Sequence, residues 1–249
     1  MTSKYFRGFD IVNYNFGDNE ARVFTQDLSQ YVDLIDQIKD STSFYNKYTV
    51  VSGERPDTLS YELYETVDHY WTFFLLNDHI RESGWPIADN ELLDYAKLRW
   101  PNRVTVTEVD FAKTFPVGSV VTGQTSGTVG TIVKRNLDLG QLVIDTVDGN
   151  NYGDNEIISY MEEDGSNITM RLVKESTQYN SVHHYEDADG IWTDINPHDD
   201  ATPSGLIPIT NLNRLENRNE ELKEIIVLKP EALATVTGEF NKLMKQRRR

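Results

Sequence analysis

The stretch 48-YTVVSGERPDTLSYELYETVDHYWTFFLLNDHIRESGW-85 decides the fold class of this 249-residue chain. Residues 44–51 carry a strand pattern that Ser52-Gly53 ends. Pro56 suits the first turn of a helix, where its missing N–H costs nothing, and Leu59 and Leu63 then share one face. Thr66 is a helix N-cap by residue type, and Asp68 favours the positive helix end. The helix expected there carries Tyr70, Trp71, Phe73, Phe74, Leu75 and Leu76, so it is apolar nearly all round. Such a helix is buried on more than one side, in a core or against a partner.

Working outward, Leu28, Tyr31, Val32, Ile35 and Ile38 recur at helical spacing and predict a helix over about residues 27–40. Residues 5–25 alternate apolar and polar positions, as short strands or an extended arm do. Asp89 is expected to cap a further helix that runs to Arg99 and stops before Pro101.

The middle of the chain changes character. Residues 104–158 are rich in Val, Thr, Ile and Gly, with turn signals at Gly123, Gly127, Gly130, Gly140 and Asp148-Gly149. Short strands so punctuated predict a small antiparallel barrel or sandwich, inserted between segments of different composition. Further strands are expected at 168–173 and 182–195, the latter turning at Asp189-Gly190. A Pro- and Gly-bearing loop spans 199–208, and the last segment reads as strand, helix, strand and helix, with Pro230 opening the final helix. The class is therefore α+β.

Charge and composition exclude several functions. The net charge is −16, with 40 acidic against 24 basic residues. A diffuse acidic surface opposes nucleic-acid binding, which needs clustered Lys and Arg. Cysteine is absent, so there is no thiol nucleophile and no Cys-based metal site. The opening residues lack the apolar core of a signal peptide, and no run approaches the roughly 20 apolar residues of a membrane span. A soluble protein with no membrane partner is the expectation. The basic residues Lys242, Lys245 and Arg247–Arg249 form a C-terminal tail, solvated or docked on an acidic neighbour.

No catalytic constellation stands out. His183-His184 is the one paired histidine, followed by Glu186, Asp187 and Asp189. Adjacent strand residues point to opposite faces, so the two imidazoles are expected not to converge on a metal. His69, His79 and His198 sit apart, without a zinc-ligand spacing. Ser126 lies in no nucleophile elbow, and GQTSGTVG lacks the Lys and following helix of a phosphate loop. No metal, cofactor or catalytic residue is therefore assigned. Hydrolysis by paired carboxylates depends on their separation, which a sequence does not supply.

Tyr48-Thr49-Val50, Gly53, Asp57-Thr58-Leu59 and Asn77-Asp78 resemble the LysM strand-helix-helix-strand unit. Glu54-Arg55-Pro56 lengthens the approach to the first helix, and no return strand follows Asn77. A broader resemblance rests on Arg55-Pro56-Asp57-x-Leu59, Leu63-Tyr64, Tyr70-Trp71, Leu75-x-Asn77-Asp78 and Gly84-Trp85. To these are added His184-Tyr185-Glu186-Asp187 with Trp192, Ile209-Thr210-Asn211 with Glu216, Lys223-Glu224-Ile225 and Pro230-Glu231. In that order they resemble the LysM-like baseplate wedge proteins of contractile-tailed, T4-like bacteriophages, over 5–100 and 182–245.

The resemblance implies a non-enzymatic virion subunit of the tail baseplate, assembled in the host cytoplasm. Present in several copies, it would join neighbouring wedges into the six-fold ring around the hub. Its partners would be other wedge subunits: the ring-forming wedge proteins and the sheath-initiator protein. The partner-binding residues expected are Tyr70, Trp71, Phe74, Trp85, Trp192, Leu222, Ile226 and Phe240. The organisation expected is an arm and helix (1–45), a LysM-like helical domain (46–103), an inserted β-barrel-like module (104–165) and a C-terminal hairpin and docking segment (166–249). The other reading is a peptidoglycan-binding LysM module of a virion or cell-wall protein.

Overall fold

The computed structural model describes residues 11–15, 22–26, 44–107, 109–197 and 204–246. The helix expected over 27–40, His198 and Arg247–Arg249 lie outside them. The chain is α+β and divides into two compact units. The first takes residues up to Asp89 and again from Asn219, while the second is the intervening Asn90–Arg218.

Within the first unit, β1 (Ile11–Asn15) and β2 (Arg22–Gln26) form an antiparallel pair. β3 (Tyr45–Thr49) leads to α1 (Pro56–Tyr64), which Pro56 opens as its sequence predicts. Glu65 ends α1 in the left-handed conformation at φ 58°, its N–H donating to the Tyr61 carbonyl. Ser60 is fully buried, with Oγ donating to the Thr66 carbonyl at 2.7 Å and accepting from the His69 N–H at 3.3 Å. These bonds hold α1 against the next turn.

The apolar helix expected after Thr66 is divided. Thr66 caps a 3-10 turn, Val67–His69, by accepting from the Asp68 N–H, and α2 covers only Trp71–Leu76. Asn77 stops α2, and α3 (Asp78–Ser83) follows. The all-round apolar character of α2 has an internal cause. Phe73, Leu75 and Leu76 are buried, and the helix faces two core clusters of the same unit.

One cluster holds Leu75, Leu76, Leu228, Val236 and Phe240; the other holds Val50, Leu59, Phe73, Ile80, Ile225 and Val227. Their distal residues come from β14 (Glu224–Leu228) and α6 (Pro230–Gln246). β14 pairs antiparallel with β3, Ile225 opposite Tyr48 and Val227 opposite Asn46. The strand that closes this sheet therefore arrives from far along the chain.

Two buried asparagines secure that closure. Asn77 donates from Nδ2 to the carbonyls of Phe73 and Ile226, both at 2.8 Å, and its Oδ1 accepts the Ile226 N–H at 2.8 Å. The side-chain amide thus meets β14 as a neighbouring strand would. Asn219 treats Ile87 in the same way, accepting its N–H at 2.8 Å and donating to its carbonyl at 2.9 Å. The ammonium of Lys223 bonds Asp89 at 2.9 Å and Glu220 at 2.5 Å, and these contacts hold its pKa above the usual lysine range.

The second unit contains most of α4 (Asp89–Arg99) and a seven-stranded antiparallel sheet. Its strands are β4 (Arg103–Val106), β5 (Val120–Gly123), β6 (Val129–Asn136), β7 (Gln141–Thr146), β8 (Ile157–Met161), β9 (Asn167–Arg171) and β10 (Lys174–Thr177), in the order β10-β4-β7-β6-β5-β8-β9. The sheet extends past residue 165, since β9 pairs with β8 and β10 with β4.

β9 and β10 are its two edges, yet only Leu172 and Val173 separate them. Three Cα steps span at most about 11 Å, whereas the edges of a flat seven-stranded sheet lie about 29 Å apart. The sheet must curl until its edges meet. Leu172 donates its N–H to the Glu156 carbonyl and Val173 to that of Val106, which ties the crossing at both ends. A fork of hydrogen bonds from Arg103 to Glu175 clamps β4 to β10. Phe111, Phe115, Ile132, Leu142, Ile144 and Ile158 fill the interior, each at most 1% exposed.

Gly130 sits where that interior leaves no room. A Cβ there would meet Ile144 Cγ2 at 2.6 Å and the Asp145 carbonyl oxygen at 2.8 Å. We expect Gly130→Ala to lower stability by about 2 kcal/mol, the scale of core overpacking. A thermal melt checks this, and an unchanged midpoint would contradict it.

A separate three-stranded antiparallel sheet completes this unit, in the order β12-β11-β13: β11 (Val182–Glu186), β12 (Trp192–Thr193) and β13 (Ile207–Thr210). The turn expected at Asp189-Gly190 joins β11 to β12, with Gly190 at φ 76° and Asp187 donating its N–H to the Ile191 carbonyl. α5 (Asn211–Lys223) then leads back to β14. No helix of the described residues is long and apolar enough to cross a membrane.

Candidate functional site

A cleft of about 680 Å³ opens in the second unit. Its wall is assembled from the C-terminal end of α4, the end of β6 with its turn into β7, β11, β12 and the first turn of α5. Each element contributes a charged or aromatic group: Arg99, Lys134, His183, Trp192 and Arg214.

The histidines depart from expectation. Between Val182 and His184 the pairing with β13 slips, two residues of β11 matching a single step from Thr210 to Ile209. His183 is the extra residue of a β-bulge, which releases the strict alternation of faces. The two imidazoles therefore converge, with Nδ1 atoms 3.0 Å apart. Even so, among the described residues no group of three or more His, Cys, Asp or Glu could hold a metal ion.

What the pair forms is a directed chain of hydrogen bonds. A guanidinium only donates, so Arg214 Nη1 donates a hydrogen bond to His183 Nε2 at 3.1 Å. Neutral His183 then carries its own proton on Nδ1 and donates it to His184 Nδ1. His184 in turn donates from Nε2 to Glu186 Oε1 at 2.9 Å. Burial, the charge of Arg214, and then His184 and Lys134 hold the His183 pKa below the usual imidazole range. A second proton on His183 would set N–H against N–H at Arg214, so the chain has one consistent arrangement of hydrogens.

Trp192 rests on this chain. Its ring stacks on His184 at 4.2 Å between centroids and meets His183 edge-on at 5.5 Å. Its other side remains free, the residue being 59% exposed. Trp192, Glu186 and Ile207 lie in one cross-strand row.

The cations of the cleft lack carboxylate partners among the described residues. Arg99 donates to the Tyr95 hydroxyl and lies over the Trp100 ring. Arg135 donates to the carbonyls of Phe111 and Ala112, and its buried Nε has no hydrogen-bond partner there. Among the described residues, Lys134 is exposed and unpaired and Arg214 bonds only His183.

The other residues expected to bind partners lie in the first unit. Trp71 packs on Phe240 at 4.9 Å, and Phe74 on Trp85 at 5.8 Å. Trp85 donates its indole N–H to the Glu54 carbonyl at 2.7 Å. Tyr70 and Ile226 are half-buried against the core clusters, while Leu222 and Phe240 are buried outright. In this conformation Leu222 and Phe240 have no surface to offer a partner. Among the described residues of this unit, the exposed large apolar side chains are Val51, Tyr61 and Val67.

The chain matches no protein-family model and no curated protein. Sequence reasoning missed Arg99, Lys134 and Arg214 as a group. The available signal was the Lys134-Arg135 pair, two adjacent charges in an otherwise apolar and hydroxyl-bearing strand. Nothing local connects them with Arg214, which the fold brings from a helix far down the chain.

Proposed function

We propose that this chain is a non-enzymatic structural subunit of a phage tail baseplate wedge, joining neighbouring wedges into a six-fold ring. The observation that supports this reading is the closure of the first unit. Tyr48–Asn77 supplies a strand and two helices, and Glu224–Leu228 supplies the antiparallel strand absent after Asn77. A LysM-like unit interrupted by a long insertion accounts for that topology. Of the motifs that carry the resemblance, those in Tyr48–Asn77 and Lys223–Glu231 fall in this one unit, while His184–Asp187, Trp192 and Ile209–Asn211 fall in the other.

Ring assembly through unlike contacts requires two different patches per subunit. Each unit carries exposed apolar side chains suited to one: Val51 and Tyr61 in the first, Ile191 and Trp192 in the second. The test is co-expression with ring-forming wedge proteins and the sheath initiator, followed by size-exclusion chromatography. A stable complex is expected from the full chain and none from a chain ending at Lys229, which lacks α6. Normal ring formation by the truncated chain would contradict the proposal. So would saturable retention of the full chain on insoluble peptidoglycan without any wedge complex, which would favour the glycan-binding alternative.

A further inference from the structure

We propose that the cationic cleft of the second unit is a docking site for an acidic peptide segment of a partner protein, its carboxylates held by Arg99, Lys134 and Arg214 and an apolar side chain set against Trp192. The inference does not depend on the baseplate reading.

The chain holds 40 acids and 24 bases, so a cation that needs a partner has many to choose from. Four cations along one cleft nevertheless have no ion pair among the described residues. The lining acids are Asp138 and Asp194, which leaves an excess of two positive charges. At physiological salt, charges beyond about 8 Å are largely screened. The cleft is therefore locally attractive to carboxylates although the whole molecule is acidic.

A space of about 680 Å³ lies within the range of sites that enclose a ligand. Its rim carries an indole that is 59% exposed, with Ile191 and Ile207 exposed nearby. Arginine and tryptophan are the side chains that anchor protein partners most often, because each combines contact area with a directed polar group. A polyphosphate or nucleic acid would need more positive charge than this lining offers. One or two carboxylates beside an apolar residue match it.

Arg214 is fixed by His183, which is fixed by His184 and Glu186, so the guanidinium is oriented before a ligand arrives. Ordering one long side chain in advance lowers the entropy lost on binding. The stacked His184 holds the Trp192 ring in place in the same way.

The test is selection of a random heptapeptide library on the immobilised full chain, then titration of the selected peptides as synthetic peptides. The expected sequences carry two or more Asp or Glu around an apolar residue. Their affinity should fall at least tenfold in the double variant Lys134→Ser, Arg214→Ser, fall in Trp192→Ala, and weaken as salt rises. Lys47→Ser, an exposed cation of the first unit, should leave it unchanged. Thermal melts of each variant separate lost binding from lost fold. Selection of no peptide, selection without acidic bias, or binding indifferent to the double variant would overturn the proposal. Inorganic phosphate competing at the same residues as tightly as the best peptide would overturn the peptide class.

Discussion

Replacing Asn77 with alanine is expected to destabilise the first unit by about 3–4 kcal/mol. The side chain is 4% exposed and makes three hydrogen bonds, two of them to the main chain of Ile226. Alanine removes the acceptor of the Ile226 N–H and the donor to its carbonyl, leaving two main-chain groups without partners. Each such buried group costs roughly 1–3 kcal/mol. Amide hydrogen exchange at Ile226 is the direct readout, and protection there should fall while that of Ile144 in the second unit is kept.

Asn77→Asp sharpens the same test. The aspartate still accepts from Ile226 but turns an oxygen toward the carbonyls of Phe73 and Ile226. Its folded pKa is therefore raised above the unfolded value of about 3.9. The variant should regain stability as pH falls toward that value, because the protonated acid donates again. Equal stability of Asn77→Asp and wild type at neutral pH would show that the side-chain donors do not matter.

The second large effect is expected at Glu156, in the second unit. This carboxylate is 5% exposed. Oε1 accepts the N–H groups of Thr125 at 2.7 Å and Ser126 at 2.6 Å, and Oε2 accepts that of Gly153 at 2.6 Å. Burial alone would raise its pKa, but the Gly153, Ser126 and Thr125 amides together outweigh it and hold the group below the usual carboxylate value. Gly123 has no Cβ because one would lie 2.6 Å from Glu156 Oε1. Two loops are thus organised around one anion.

Glu156→Gln sets an amide N–H₂ against a main-chain N–H and should cost about 3 kcal/mol at pH 7, the scale of a charged hydrogen bond lost with its partner unsatisfied. The sign of the pH dependence follows from the depressed pKa. The stabilisation is complete above the unfolded value of about 4.3 and disappears as pH falls through the folded value. Melting curves of wild type and Glu156→Gln should therefore differ widely at pH 7 and converge in acid. A constant difference down to acid pH would mean that the ionised carboxylate contributes nothing special.

Features governed by nearby residues were legible in the sequence. Pro56 and Pro230 open helices, Asp89–Arg99 is a helix that ends before Pro101, and Asp189-Gly190 turns a hairpin. The alternation Val120–Gly123 with buried Val121 and Gly123 marks a sheet with one face inward. The partner of β3 was not legible. Glu224–Leu228 is a short apolar run like many others, and its side chains do not name a strand 175 residues away.

The bulge at His183 escaped for a similar reason. It arises from how β13 meets β11, not from any residue type within Val182–Glu186. The cleft combines four separate stretches of chain, so none of them carries its pattern alone. The apolar run at Tyr70–Leu76 suits either a core or a partner. Much of it is core, because β14 and α6 return to cover it.

The insertion also sets a timetable for synthesis. Asn77 emerges 149 residues before Ile226. At about 5–20 residues per second, the first unit waits roughly 7–30 s for its closing strand. During that interval β3 has no β14 beside it, and the apolar side of α2 lacks Leu228 and Phe240. The second unit is complete by Arg218 and is free to fold first. Only a chain translated past Leu228 pairs β3 with β14, so a product interrupted before that point leaves Leu75 and Leu76 without the residues that cover them.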